Sequence, residues 1–193
     1  SSDCDRLQAG EFGGGAVVIT ADGIDWHSTT GILNHALSRA ENPHDGLDGY
    51  VLAVRSPEKA ERLLERRGLK LTTDATHGVQ IALTERSDAP APSPLLKSAE
   101  SAAISELDHV VIRSPNPERA VALYAGRLGL DLRLDRSNPA WNARLLFFRC
   151  GNLVVEVAHD LKKGVSEAPD ELWGLSWRTP DIAACHERLK KAG

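Results

Sequence analysis

The sequence lacks several features that mark particular classes of protein. Its 193 residues contain no run of about 18 consecutive apolar residues, the minimum for a transmembrane helix. They include 23 basic and 27 acidic residues, a formal net charge of -4, so no basic excess attracts nucleic acid. There is also no charged segment followed by an apolar run, the pattern of an export signal. The composition therefore predicts a cytoplasmic protein whose partners are neither membranes nor nucleic acids.

Cysteine and methionine are scarce as well. The three cysteines, Cys4, Cys150 and Cys185, are odd in number and lack the close spacing of a metal site. We expect a reducing environment in which they pack as small apolar residues. Methionine is absent, even from position 1, which indicates that the sequence is either a fragment or lacks residues.

The chain does contain one motif three times. Each copy is an apolar strand that leads through Arg-Ser/Thr-Pro into an amphipathic helix ending near a glycine. The strands end at Arg55, Arg113 and Arg178, and the predicted helices span 58–67, 117–127 and 181–191. A repeated strand–helix unit indicates a fold of duplicated modules, and a site is then expected where the copies face each other.

Further strands complete the pattern between these copies. Alternating or β-branched segments predict strands over 79–84, 130–134, 144–149 and 153–158, so that 107–158 follows the order β-α-β-β-β. Residues 11–28 predict a β-hairpin, with Gly13 to Gly15 as a flexible connection. The expected organisation is a degenerate or incomplete N-terminal half (1–90), a Pro-rich linker (91–103), and a C-terminal module with the start of the next (104–193).

Two of the predicted helices carry an apolar stripe. In the second copy the stripe consists of Ala120, Val121, Leu123, Tyr124 and Leu128, and in the third copy of Ile182, Cys185 and Leu189. Residues at this spacing lie along one side of a helix, so we expect both stripes to pack on a sheet.

Two residues of the second copy suit metal chemistry. Alternation along strand 107–113 places His109 and Arg113 on one face. Glu156 lies within the apolar strand 153–158, where an unpaired carboxylate is costly. An imidazole nitrogen and a carboxylate oxygen together suit Fe(II), Mn(II), Ni(II) or Zn(II). The alternative is that His109 is a structural hydrogen-bonding residue and Glu156 faces solvent, and the spacing leaves both interpretations open.

The same region resembles a known module. Leu107 to Ser114, the helix with Tyr124 before Leu128-Gly129-Leu130, and strands 145–149 and 151–156 resemble the vicinal oxygen chelate superfamily of glyoxalase I, extradiol dioxygenases and bleomycin-resistance proteins. The resemblance covers 103–160, extends partly over 172–193 and is weak over 11–90. It implies an α+β fold in which repeated βαβββ modules form cupped mixed β-sheets with helices on the outer face.

The resemblance also implies a metal site. In this superfamily, ligands for a divalent metal lie early in the first strand and on the fourth strand of a module, and His109 and Glu156 match these positions. The other copies offer no second histidine, because Gly174 and Val51 (or Gly49) lie opposite His109 when the copies are aligned. A third ligand is therefore not identified.

Two functions follow from the resemblance. The first is a glyoxalase- or dioxygenase-like enzyme, of lyase, isomerase or dioxygenase type, that acts on a small oxygen-rich organic substrate through metal chelation. The second is a metal-free small-molecule binding protein, similar to bleomycin-resistance proteins, in which Arg144 or Arg149 would pair with Glu156. Related folds often complete their cup between subunits, so we expect a homodimer.

Three residues are candidates for a substrate pocket. Arg113 shares a face with His109 and offers a charge for an anionic group, although its recurrence as Arg55 and Arg178 also fits a structural role at the strand–helix junction. Trp173 and Trp177 flank Gly174 and would line the pocket, with core packing as the alternative.

The remaining candidates are weaker. His27, His35, His44 and His77 are expected in loops or at the surface, and His44 is the best placed of them as an additional ligand. Glu85 ends a strand near a ligand position, but its register differs from that of Glu156 by a residue or two.

Overall fold

The computed structural model describes residues 12–17, 49–85, 106–150 and 153–192. Within these segments the strands are β1 (Phe12–Val17), β2 (Gly49–Val54), β3 (Gln80–Glu85), β4 (Glu106–Arg113), β5 (Asp131–Asn138), β6 (Ala143–Cys150), β7 (Leu153–Asp160) and β8 (Glu171–Arg178). The helices are α1 (Pro57–Arg66), α2 (Pro117–Val121, continuing as a π-helix over Ala122–Arg127) and α3 (Ile182–Ala192). None of the described helices combines the length and the apolar character needed to span a bilayer.

These elements confirm the α+β fold class and form two mixed sheets. The first sheet has the order β1-β2-β3, and the second has the order β5-β6-β7-β4-β8. In the first sheet β2 is antiparallel to β1 and parallel to β3, and in the second β4 is antiparallel to β8 and parallel to β7. The β-α-β-β-β order predicted over 107–158 is confirmed as β4-α2-β5-β6-β7.

A polar side chain caps the start of each helix. Ser56 accepts a hydrogen bond from the backbone N–H of Lys59 before α1, and Asn116 accepts one from Arg119 before α2. The carboxylate of Asp181 accepts one from Ala184 at the start of α3. Because the first amides of a helix have no partner within it, such caps stabilise the helix start. The polar residues around each Arg-Ser/Thr-Pro motif therefore explain why all three helices begin there.

One face of the five-stranded sheet packs on α2 and its π-helical continuation. Val110 and Ile112 on β4 are fully buried there, and the ring centroids of Tyr124 and Phe148 lie 5.3 Å apart. This confirms that the apolar stripe of the second helix packs on a sheet. Tyr50 of β2 belongs to the same core, so the two sheets share buried apolar surface.

The structure corrects two of the sequence predictions. In the third helix only Cys185 is buried, whereas Ile182 is 79% exposed and Leu189 is 48% exposed, because no described element covers their side of α3. The segment Gly13 to Gly15 is part of β1, where its backbone pairs with β2 across a register irregularity, and is not a flexible connection. The return strand of the predicted hairpin and the Pro-rich linker lie outside the described residues.

The two sheets repeat the same arrangement around a central strand. If Arg55 is aligned with Arg113, β2 corresponds to β4, β3 to β7, and β1 to β8. In that alignment Val51 takes the position of His109, and Thr84 takes the position of Glu156, because Thr84 pairs with Ala53 as Glu156 pairs with Val111. Glu85 therefore lies one residue beyond the position that corresponds to Glu156, in agreement with the predicted difference of a residue or two.

Candidate functional site

The candidate site lies on the face of the second sheet that points away from α2, here called the open face. The described side chains of its central strands are His109, Val111 and Arg113 on β4, Val154, Glu156 and Ala158 on β7, and Leu145 and Phe147 on β6. Paired residues of neighbouring strands point to the same side of a sheet. Strand pairing thus brings the imidazole of His109 and the carboxylate of Glu156, from adjacent strands, to one surface.

His109 is held on two sides within this surface. Its ring meets the ring of Phe147 edge-on, with centroids 5.2 Å apart. Its Nδ1 atom contacts Oδ2 of Asp108, and the other oxygen of Asp108 accepts a hydrogen bond from Nε of Arg178. Both His109 and Asp108 are largely buried, with side chains 19% and 18% exposed. The orientation of this imidazole is therefore set by an aromatic ring and a carboxylate.

Asp108 reaches His109 because the strand is irregular at this point. Across the β4–β8 pair, Leu107 lies opposite Trp177 and His109 lies opposite Ser176, so Asp108 is the extra residue of a β-bulge. A bulge interrupts the alternation of side chains and is common beside active sites. Sequence alternation assigns Asp108 to the face opposite His109, and only the bulge brings the two side chains together.

Glu156 occupies the half-buried centre of the open face. It lies between Val111 on β4 and Phe147 on β6, both apolar. Burial raises the pKa of the Glu156 carboxyl above its usual range, and the nearby His109 acts in the opposite direction. The carboxylate is therefore costly to ionise in this position and would be stabilised by a cation beside His109.

Arg113 and Trp173 form a second feature of the open face. The β4–β8 pairing is irregular between Val111 and Ile112, where Trp173 is the extra residue of β8. The guanidinium of Arg113 lies 4.1 Å from the centroid of the Trp173 ring, a cation–π contact. Trp173 is 57% exposed and Trp177 is 39% exposed, so neither belongs to the core. The core-packing alternative for these tryptophans is therefore wrong. Trp177 follows Ser176, which pairs with His109, so Trp177 lies on the face opposite to His109 and does not line the open face.

Arg144 does not pair with Glu156. Its guanidinium makes two 2.8 Å hydrogen bonds to the carboxylate of Asp135, and Nη1 also donates to Glu118. Alternation explains the difference, because Arg144 and Leu146 share the face that packs on α2, opposite to Glu156. Arg149, which pairs with Val154, lies on the same face as Glu156.

Of the other histidine candidates, only His77 falls within the described residues, and its contacts are with residues other than His109. His77 follows α1, adopts a positive φ of 60° and accepts a hydrogen bond through its carbonyl from the N–H of Asp170. Burial, followed by the charge of Arg119, lowers the pKa of His77. His159 was not among the candidates, and it is buried with Nδ1 3.0 Å from the carbonyl of Ser114. His27, His35 and His44 lie outside the described residues.

The chemistry of the donors fits a divalent metal in part. A neutral imidazole nitrogen and a carboxylate oxygen are common ligands of Zn²⁺ and of non-haem Fe²⁺. Glu156 is a half-buried carboxyl, and among the groups that shift its pKa only His109 opposes the effect of burial. Within the part of the chain that the structure describes, no group of three or more His, Cys, Asp or Glu residues is suitably placed for a metal. His109 and Glu156 would thus supply two protein ligands.

Comparison with protein families identifies the module that carries these residues. Residues 108–193 match the family model of the glyoxalase/bleomycin resistance protein/dioxygenase superfamily. The matched segment includes β4 from Asp108 onward, α2, β5 to β8 and α3. The superfamily resemblance predicted from the sequence is confirmed over these residues.

Individual relatives are epimerases. Over 97 residues the chain is 29% identical to an ethylmalonyl-CoA/methylmalonyl-CoA epimerase of Cereibacter sphaeroides, which corresponds to 47% of this chain and 72% of that protein. A crystal structure of methylmalonyl-CoA epimerase from Mycobacterium tuberculosis is similar at a TM-score of 0.43 and 20% sequence identity. The alignment covers 51% of this chain and 70% of the epimerase chain. A structure of Streptomyces coelicolor methylmalonyl-CoA epimerase in complex with 2-nitronate-propionyl-CoA is similar at a TM-score of 0.41 and 13% sequence identity. That alignment covers 47% of this chain and 74% of the epimerase chain.

Proposed function

We propose that this protein is a metal-dependent enzyme acting on a small oxygen-rich organic substrate. The match of residues 108–193 to the family model of the glyoxalase/bleomycin resistance protein/dioxygenase superfamily supports this proposal. The observation that carries the proposal is the position of His109 and Glu156 on one face of adjacent strands. The raised pKa of Glu156 supports it, since a half-buried carboxyl is expected to gain from a cation.

Each residue has a defined part in the proposed site. His109 and Glu156 hold the metal, with other positions left for water, substrate and a further ligand. A divalent ion bound there would supply Lewis acidity to two neighbouring oxygens of the substrate. Phe147 packs against His109 and keeps water from one side of the imidazole.

The proposed substrate class follows from Arg113 and Trp173. The guanidinium of Arg113 lies on the same face as His109, two strand positions beyond Val111, which pairs with Glu156. It offers two or more donors to a carboxylate or phosphate of the substrate. Trp173 provides exposed aromatic surface for its apolar part. The Cereibacter sphaeroides relative, an acyl-CoA epimerase by name, supports an anionic carbonyl compound as substrate.

Metal binding tests the proposal directly. We expect freshly purified protein to contain a divalent metal, and the metal-free protein to gain thermal stability when Fe(II), Mn(II), Ni(II) or Zn(II) is added. His109→Ala and Glu156→Gln should abolish this gain, because each removes one of only two identified ligands. His186→Ala is the matched control, since His186 is an exposed residue of α3. Equal stabilisation of wild type and His109→Ala would reject the metal site.

A metal-free binding protein is the second candidate. The stack of Arg113 on Trp173 favours it, because planar aromatic or anionic ligands can bind such a surface without a metal. Stabilisation by a small ligand in the presence of a chelator, unchanged in Glu156→Gln, would support this function. Strict dependence of ligand binding on a metal would exclude it.

We further propose that the protein forms a homodimer. In the described part of the second sheet, β8 is an outer strand, and its free edge offers backbone groups for pairing. Sedimentation at several concentrations tests this, and a monomer at the highest concentration would contradict it.

A further inference from the structure

We infer that Asp108 is a positioning residue that fixes the tautomer and orientation of His109. The inference rests on the proposed function only where it concerns metal affinity. It depends on contacts among three side chains: His109 and Asp108 on β4, and Arg178 on β8. None of the sequence patterns identifies Asp108, because its contact with His109 depends on a β-bulge.

The bulge places two consecutive side chains on the same side of β4. In a regular strand, Asp108 and His109 would point to opposite faces. Here Asp108 is the extra residue of the bulge and has no paired residue on β8. Its side chain lies on the same side as His109, where Oδ2 contacts Nδ1 of the imidazole. The carboxylate is 18% exposed, so water competes little for this contact.

The chemistry of the contact selects one tautomer. An ionised carboxylate only accepts hydrogen bonds, so the imidazole nitrogen beside it must carry the hydrogen. With hydrogen on Nδ1, the lone pair of neutral His109 is on Nε2, the atom that is left for a metal. A carboxylate partner also makes the imidazole a better ligand, and loss of such a partner typically lowers metal affinity about 10–100-fold.

Arg178 anchors the carboxylate from the neighbouring strand. Its Nε donates a hydrogen bond to Oδ1 of Asp108, so the two oxygens of one carboxylate have different partners. Arg178 ends the strand of the third repeat, whereas His109 lies in the second repeat. The orientation of a ligand in one repeat therefore depends on an arginine of the next.

The tautomer can be measured without any metal. In nitrogen-15 NMR spectra of metal-free wild type, at a pH where the imidazole is neutral, we expect His109 with hydrogen on Nδ1. In Asp108→Ala we expect the hydrogen mainly on Nε2, the usual form of a free histidine side chain. Asp108→Asn keeps an acceptor oxygen and is expected to retain the Nδ1 hydrogen. Hydrogen on Nε2 in the wild type would overturn the inference.

Metal affinity provides the second measurement. By calorimetric titration with Zn(II), we expect Asp108→Ala to bind about 10–100-fold more weakly than wild type, and Asp108→Asn to show a smaller loss. Asp135→Asn is the matched control, because it removes a carboxylate–arginine pair from the opposite face of the same sheet. Wild-type affinity in Asp108→Ala, or an equal loss in Asp135→Asn, would overturn the inference.

The two measurements separate this inference from the proposed function. If wild type binds no metal but shows the Nδ1 tautomer that Asp108→Ala loses, the metal site fails and the positioning role stands. If wild type binds metal through His109 and the tautomer is unaffected by Asp108→Ala, the metal site stands and the positioning role fails. Thermal unfolding of Asp108→Asn, compared with Asp135→Asn, identifies any loss of affinity that follows from misfolding.

Discussion

Glu156 is a half-buried acidic residue at the centre of the open face. It is flanked by Val111 and Phe147 on neighbouring strands, and burial raises its pKa although His109 acts against the shift. A carboxyl whose pKa is higher in the folded than in the unfolded protein binds protons more tightly when folded. Folding stability then falls as the pH rises from the unfolded pKa, about 4.3 for Glu, through the folded pKa. Glu156 therefore destabilises the metal-free protein at neutral pH.

Replacement of Glu156 by glutamine should reveal this effect. In metal-free protein at pH 7 we expect Glu156→Gln to unfold at a higher temperature than wild type, because the amide carries no charge to desolvate. The difference should shrink as the pH falls below the unfolded pKa of about 4.3, because the wild-type carboxyl then becomes protonated in both states. Thermal unfolding at several pH values checks this, and a metal-free Glu156→Gln less stable than wild type at pH 7 would contradict it.

At the scale of residues, the sequence predicts which face of the sheet a side chain points to, provided that the strand alternates regularly. His109 and Glu156 were identified in this way, and the structure brings them to one face. The face on which Asp108 and Trp173 lie cannot be predicted by alternation. Each is the extra residue of an irregular β4–β8 pairing, and the hydrophobic pattern does not indicate such an irregularity. The alternative that pairs Arg144 with Glu156 is wrong, because alternation places Arg144 on the other face, where it pairs with Asp135.

The segment before β8 illustrates how one element is fixed by its neighbours. The side chain of Asp170 is fully buried, and its Oδ1 accepts a 2.8 Å hydrogen bond from Nη2 of Arg119 on α2. Arg119 also donates to the carbonyl of Ala168 and to Glu167. Asp170 in turn donates its backbone N–H to His77, after α1. The start of β8, which carries Trp173, is thereby attached to both the second repeat and the first.

Removal of Arg119 should weaken this attachment. Arg119→Ala leaves the carboxylate of Asp170 buried without its cation, and we expect a loss of about 3 kcal/mol in the free energy of unfolding. Arg62→Ala, which removes an exposed pair with Glu58 on α1, should cost less than about 1 kcal/mol. Urea denaturation of the two variants measures the difference. Equal losses would show that the buried pair contributes no more than a surface pair.

At the scale of elements, the sequence predicts the helices and strands that are specified by neighbouring residues. The three helices follow their polar caps and prolines, and the strands from β4 to β7 follow clear alternation. The exposed side of α3 could not be predicted, because burial of Ile182 and Leu189 depends on which elements surround the helix rather than on their own spacing. The contacts of Arg119 are equally non-local, since they join positions about 50 residues apart.

The described part of the molecule combines two similar strand–helix–strand units, and the proposed metal ligands lie in the second of them. The first sheet repeats the pairing of β8, β4 and β7, but Val51 and Thr84 occupy the positions of His109 and Glu156. Repetition of the Arg-Ser/Thr-Pro motif was enough to predict duplicated modules. It could not predict that the first unit forms a separate three-stranded sheet, because strand pairing between distant segments is not encoded in local periodicity.

This asymmetry between the units predicts a metal site on the open face of the second sheet and none at the corresponding position of the first sheet. The most direct measurement is an anomalous-difference map of crystals grown with Zn(II) or Ni(II). We expect a strong peak bonded to Nε2 of His109 and to the carboxylate of Glu156, and none beside Val51. A map without a peak at His109 and Glu156, in crystals that contain the metal elsewhere, would contradict the account.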